Sequence, residues 1–294
     1  MAVKRWLLGC IVLFAGTLAT VSLAFVIVNL SLDREGLALG SLSRRVGLIE
    51  IIGDIESSEE AVEQLEHMRL DSSVRAVVVR LDSPGGGVAA SQEIHEAVRK
   101  VSEEKKPVVA SMGGVAASGA YYIACAADSI VSNPGTLTGS IGVIMSFPNT
   151  EELFRKVGLR FEVVKTGKFK DIGSLSRPMT AEEKELLQGV LSNVYEQFVA
   201  VIEDGRGMKR SEILPYADGR IFSGDQALEL GFVDRTGDLN DAILLAGSLA
   251  GIKGRPLVVR KARRGVSFLD FFRDKMRLLP DLGQSGPRLE YRLR

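Results

Sequence analysis

The 294-residue chain has only two cysteines, two histidines and one tryptophan, and each scarcity closes off a class of protein. Cys10 lies in an apolar N-terminal run and Cys125 in an alanine-rich one, so no disulfide framework holds the chain together. His67, His95 and two distant cysteines give no cluster with metal-ligand spacing, so neither a metal nor another cofactor is expected. Formal net charge is zero, but residues 255–294 carry eleven Lys/Arg against four Asp/Glu. That tail lacks the interleaved base-stacking aromatics of nucleic-acid binders. It suits contact with acidic lipid, contact with another subunit, or plain solvation.

What is present is ample apolar material: 46% hydrophobic and 25% charged residues, enough for a globular core. Trp6 to Val28 holds no charged residue. At about 1.5 Å per residue this run crosses a hydrocarbon layer of roughly 30 Å. Lys4 and Arg5 precede it, and Asp33, Arg34 and Glu35 follow. The positive-inside bias therefore predicts a single-pass anchor over residues 1–32, with the N-terminus cytoplasmic and the remainder outside the cell membrane. Ser22-Leu23-Ala24 resembles a small-x-small cleavage site, the mark of a removable signal peptide. However, the apolar run exceeds the roughly 7–15 residues of such a core and continues past Ala24.

A polar linker is expected over 33–45, one α/β domain over 46–250, and a basic tail over 251–294 that is loosely attached or disordered beyond Lys261. Val46–Ile52, Val74–Leu81 and Pro107–Met112 read as strands, with Ser129–Ser132, Ile141–Ser146 and Phe161–Lys165 as further candidates. Ser57-x-x-Glu60 predicts a capped helix to about Met68, and Val88–Glu104 the next. Thr180-x-x-Glu183 caps the longest helical pattern, whose stripe from Leu186 to Ile202 suits core or subunit contact. Ser223-x-x-Gln226 opens another helix, and Leu239–Leu249 forms one more. Strand and helix alternate, so a mostly parallel sheet with crossover helices is expected.

Four small-residue segments fall at predicted strand ends, where sites gather in open α/β sheets. Asp82-Ser-Pro-Gly85-Gly86-Gly87 leaves backbone N–H groups uncovered and allows positive φ, which suits an oxyanion hole as well as a tight turn. No Gly-Lys-Ser/Thr follows, so this is not a phosphate loop. Gly113-Gly-Val-Ala-Ala-Ser118-Gly119-Ala-Tyr-Tyr122 places a serine at a strand-to-helix turn, as a nucleophile or as a bystander of close packing. His67 and His95 fall on helical faces with charged neighbours, which suggests solvation rather than catalysis. A lysine can serve as the base instead if desolvation lowers its pKa from about 10.4. In Lys165-Thr-Gly-Lys168-Phe-Lys170-Asp171, period 2 puts Lys168 and Lys170 on one face, and spacing does not separate them. Thr136-Leu-Thr-Gly-Ser140-Ile-Gly-Val contributes a serine that could hold a neutral amine or cap a turn.

These motifs in this order, closed by Gly219-Arg-Ile-Phe-Ser-Gly, resemble the signal peptide peptidase A (protease IV) family in its short, single-domain form, over about Val46 to Ala250. The resemblance implies a fold related to Clp protease and crotonase, a repeated β-β-α superhelix, behind an N-terminal transmembrane helix. It implies Ser118 as nucleophile, Lys170 as general base, Ser140 positioning the lysine, and Gly85, Gly86 and Gly119 forming the oxyanion hole. It also implies a ring- or dome-shaped homo-oligomer that cuts signal peptides left in the membrane. The small residues around Ser118 predict a narrow entrance that favours small side chains at the cleavage position. The competing readings are a crotonase-like acyl-CoA enzyme and a non-catalytic membrane scaffold. The mass of the purified membrane-bound protein is expected to include residues 1–24, and loss of those residues would overturn the anchor.

Overall fold

The computed structural model describes residues 45–260 and 290–292. The predicted anchor, nearly all of the linker, and residues 261–289 of the tail lie outside the described residues. Among the described residues, no helix is long and apolar enough to cross a membrane.

The β-branched runs do form the sheet. Strands β1 (Arg45–Ile52), β2 (Val74–Ser83) and β4 (Val108–Ala117) pair in parallel. A short glycine strand, β3 (Gly85–Gly87), follows β2. Helices α1 (Glu59–Leu70) and α2 (Val88–Glu103) make the crossovers. A short helix, α3 (Gly119–Ala124), follows β4. Beyond it come β5 (Ser129–Ser132), β6 (Leu137–Gly139), α4 (Glu151–Lys156), the long α5 (Ala181–Arg206), and α6 (Arg210–Ile213). The described chain continues through β7 (Ile221–Phe222), α7 (Gly224–Glu229), β8 (Arg235–Thr236), α8 (Leu239–Leu249), β9 (Leu257–Val259) and β10 (Glu290–Arg292). The main sheet runs β7-β6-β4-β2-β1-β9, with β5 paired to β4 and β8.

Parallel strands buried on both faces need apolar side chains on both sides, and alternate residues supply them. Val46, Leu48, Ala76 and Val78 pack with Ala242 and Ala246 of α8. Ile49, Val77, Val79 and Leu81 face the larger core, which includes Leu65, Ile94, Phe198 and Ile202. The free thiol Cys125 lies in this core, and burial pushes it up to about 12.

One irregularity shapes everything downstream. Leu81 is in register with Met112, but Ser83 is in register with Ala116, so β4 spends extra residues at Gly113-Gly114. The Asp82 side chain fills the vacated space and accepts the Val115 N–H at 3.1 Å. A Cβ on Gly113 would stand 2.5 Å from Asp82 Cγ, so only glycine fits there. Before the bulge β4 pairs with β5; after it, with β6. The strand end that leads to Ser118 is thereby redirected to a new neighbour.

Several expectations change. Ile141–Ser146 is not a strand: β7 takes the edge of β6, and Ile144 makes only an isolated bridge. Phe161–Lys165 finds no sheet edge to pair with, and its side chains are exposed. At the start of α1, the preceding residue Ser58 donates its hydroxyl to Glu93 instead of capping the helix. The boxes at Thr180 and Ser223 form as expected, and Asp238-x-x-Asp241 makes another at the start of α8. The α5 stripe divides: Val194, Phe198 and Ile202 are buried, whereas Leu186 and Val190 are exposed. Ahead of Lys261, β9 extends the sheet beside β1, and within the stretch expected to be loose β10 pairs with β3.

Gly113→Ala is expected to cost about 1–3 kcal/mol through overpacking against Asp82, read as a lowered urea midpoint with an unchanged slope. An unchanged midpoint would remove the bulge from the account.

Candidate active site

Ser118 stands between the last residue of β4 and the first of α3, at φ 54° and ψ −115°. Positive φ in a residue with a Cβ costs about 1–3 kcal/mol and persists only where neighbours enforce it. Here they do: the Ser118 N–H donates to Gly139 O at 2.8 Å, and its carbonyl accepts the Tyr122 N–H at 2.8 Å. The side chain is 0% exposed, and its hydroxyl has no hydrogen-bond partner among the described residues. A buried hydroxyl without a partner is costly in a purely structural role.

The glycine turn is brought against this point. Gly85 has φ +102°, and its N–H donates to Ser83 Oγ at 3.1 Å. The Gly87 N–H donates to Ile55 O at 2.8 Å. Gly86, between them, is paired in the short antiparallel ladder described next. A Cβ on Gly85 would stand 2.8 Å from Gly119 N, and one on Gly119 would stand 3.3 Å from Gly86 N. The three predicted oxyanion glycines therefore converge beside Ser118.

A backbone strand already lies across them. β10 pairs antiparallel with β3, placing Tyr291 opposite Gly86 and Arg292 opposite Gly85. On its other side, Glu290 exchanges both backbone hydrogen bonds with Ile144, each at 3.2 Å. The Tyr291 carbonyl oxygen sits 2.0 Å from where a Cβ of Gly85 would be, and 3.2 Å from that of Gly119. Glycine at both positions is what lets a carbonyl enter.

Ser140 also joins the site. It follows Gly139, the acceptor of the Ser118 N–H, and holds φ 51° with its own N–H on Arg220 O at 2.7 Å. It lines a cavity of about 550 Å³ together with Ile144, Leu191, Tyr195 and Arg292.

Lys170 is not brought to the serine in the single chain. It lies in an exposed stretch, as does Lys168, which pairs with Glu182. The next residue, Asp171, is fixed: Arg177 Nε donates to it at 3.0 Å, and Lys165 pairs with it. Arg177 also forks onto Glu183 at 2.5 and 2.9 Å. Hydrogen bonds from Arg177 and from the Thr180 N–H hold the Glu183 carboxyl down at about 2. The loop carrying Lys170 is thus tied to the cap of α5.

His95 departs from the solvated-face expectation. It is half-buried and meets the Tyr122 ring edge-on at 5.0 Å, and burial lowers it to about 4, so it is neutral at physiological pH. An aromatic group that was not expected from the motifs packs behind Ser118. Tyr122 stacks on Tyr291 at 5.1 Å, and Phe198 tilts against the same ring at 4.7 Å. The Tyr-Tyr pair after Ser118-Gly-Ala was the available signal.

Comparison with known proteins agrees with this architecture at two levels. The mixed α/β layout with its parallel sheet is consistent with a Clp protease-like fold, and residues 41–134 match the Clp protease family. Residues 100–253 match peptidase family S49, and the chain belongs to that family. A candidate protease of Synechocystis sp. is 44% identical over 213 residues, covering 72% of this chain and 76% of that protein. The chloroplastic serine protease SPPA of Arabidopsis thaliana is 36% identical over 72% of this chain and 32% of its own length. Protease 4 of Salmonella typhi is 37% identical over 65% of this chain and 31% of its own length. The chain therefore spans about a third of those two longer relatives. It is a serine protease, and the acyl-CoA and scaffold readings lose their footing.

Because Glu183 titrates lower folded than unfolded, its contribution is full above the unfolded value of about 4.3 and fades as pH falls through about 2. Glu183→Gln is expected to lower the thermal midpoint at pH 7 and to increase protease nicking between residues 160 and 180. The gap from wild type should close towards pH 2. An equal gap at pH 7 and pH 2 would assign the loss to packing instead.

Proposed function

We propose that this serine protease is a membrane-anchored endopeptidase that cuts residual signal peptides and other extended apolar peptides through a Ser118–Lys170 pair. The observation that carries the reading is a peptide carbonyl lodged between Gly85 and Gly119, the residue that follows Ser118, whose buried hydroxyl has no partner among the described residues. In the reaction, Ser118 Oγ attacks such a carbonyl while the neutral Lys170 amine takes its proton. The N–H groups of Gly86 and Gly119 receive the oxyanion, with Gly85 supplying the positive-φ turn that aims them. The departing amine takes the proton back, and water then resolves the acyl-enzyme.

Lys170 needs a dry setting for this role, since desolvation favours the uncharged amine. The cavity of about 550 Å³ that Ser140 lines has room for its side chain, and there the Ser140 hydroxyl would orient the amine. Exposed apolar side chains concentrate in the segment that leads to Lys170, at Leu153, Val157, Leu159, Phe161, Val163 and Val164. Such a patch on a water-soluble surface marks an interaction site. A second copy of the chain seated there, within a ring- or dome-shaped homo-oligomer, would cover the loop and fold Lys170 toward Ser140. The finer fold is the Clp protease/crotonase-like β-β-α superhelix. Residues 1–32 would hold the catalytic domain to lipid at the extracytoplasmic face of the cell membrane.

The test compares peptide hydrolysis and fluorophosphonate labelling for wild type, Ser118→Ala, Lys168→Ala and Lys170→Ala. Ser118→Ala and Lys170→Ala should each lose roughly 1,000-fold or more in kcat, whereas Lys168→Ala should stay within a few-fold. Wild-type rate should rise between about pH 6 and 10 as the amine loses its proton. A flat profile with chemistry rate-limiting, or equal losses for Lys168→Ala and Lys170→Ala, would overturn the assigned base.

A further inference from the structure

Resting on that protease reading, we infer that Ser91 is a further catalytic residue, whose hydroxyl donates to the oxyanion alongside the glycine N–H groups. Ser91 lies in the first turn of α2, four residues after Gly87. It is 0% exposed, and its hydroxyl has no hydrogen-bond partner among the described residues. With Ser118, that makes two buried, unpartnered hydroxyls at one glycine turn. A Cβ on Gly119 would stand 2.5 Å from Ser91 Oγ, 3.2 Å from the Tyr291 carbonyl oxygen and 3.3 Å from Gly86 N. The hydroxyl, the seated carbonyl and the backbone nitrogen of a glycine assigned to the oxyanion hole therefore surround a single point.

Packing alone does not account for a serine here. Alanine would fill nearly the same space without burying a hydroxyl that must give up its bonds to water. His95, one turn further along α2, does not hold the hydroxyl either, since Ser91 is without a partner among the described residues. The hydroxyl is thus free in the resting enzyme, and its partner arrives with the reaction. As Ser118 Oγ adds to the carbonyl carbon, the C=O double bond becomes single and its oxygen takes the negative charge. Ser91 donates a hydrogen bond to that oxygen and keeps its proton, so no charge moves onto α2. The start of α2 favours the same charge, because it has no side-chain cap and no acidic residue in its first turn. A bond made to the oxyanion and not to the resting carbonyl lowers the barrier without tightening substrate binding.

The experiment uses the full chain carrying Ser91→Ala or Ser91→Cys; the cysteine keeps the shape and offers only a weak donor. A blocked Leu-Leu-Ala coumarin amide serves as substrate, and the matching peptide aldehyde forms a tetrahedral adduct on Ser118. In both variants kcat should fall on the order of 10- to 100-fold, with KM within about twofold. Affinity for the aldehyde should fall by the same factor as kcat/KM. The urea midpoint should not drop, because the lost hydroxyl has no partner in the resting fold. An unchanged kcat, an unchanged aldehyde affinity, or a rate loss matched by a lowered urea midpoint would overturn the inference. So would wild-type rates from Ser91→Cys, which would leave shape as the only requirement. Fluorophosphonate labelling separates this failure from failure of the catalytic reading. Slower labelling of Ser91→Ala than of wild type, with Lys170→Ala labelling at the wild-type rate, keeps Ser91 in place and removes the lysine. A wild-type Ser118 that does not label removes both.

Discussion

The close approach of three peptide units, at Gly85, Gly86 and Gly119, is the constraint around which the rest of the domain is arranged. No Cβ fits at Gly85 or Gly119 without meeting backbone or the Ser91 hydroxyl, and Gly86 is pressed against the backbone of Ile55. The parallel core supplies rigidity from behind, since β2 delivers the glycine turn and β4 delivers Ser118. Neither strand could do so if both stayed in ordinary register. The Asp82 side chain wedged at Gly113 separates the two strand ends and turns β4 toward β6. In that position Gly139 O can fix the strained Ser118 backbone. Strain at the serine is thus offset by a bulge several residues upstream, a division of labour common at functional turns.

Much of this was legible in the residues because the chemistry demanded particular types. Three successive glycines before a helix and a serine among small residues each left a bland reading open, and it was their order along the chain, resembling a known family, that gave them roles. The boxes at Thr180 and Ser223 were readable because their two hydrogen bonds are local. What was hidden is long-range. Tyr291 meets Gly86 from roughly two hundred residues away, and nothing in Pro-Arg-Leu-Glu-Tyr-Arg marks it as a partner for a glycine strand. The Phe161–Lys165 run has the composition of a strand but finds no edge to join, since alternation cannot reveal whether a neighbour exists. His95 was misread for a related reason: its sequence neighbours are charged, but the group that decides its environment is the Tyr122 ring.

The site is asymmetric in its finish. On the side of Gly85 and Gly119 the backbone is closely packed, and a carbonyl is already seated there. On the side of Lys170 the loop is held at Asp171 by Arg177 and through it to the cap of α5, while apolar residues upstream face water.

The thiol of Cys125 gives the fold a separate use. It is sealed beneath α5, with its own carbonyl pressed to where a side chain of Gly205 would be, and burial keeps it protonated far above neutral pH. Alkylating reagents act on thiolates, so they reach this sulfur only when the helix lifts away. Its rate of modification becomes a clock for core opening, silent about the catalytic cleft and indifferent to whatever peptide lies in it.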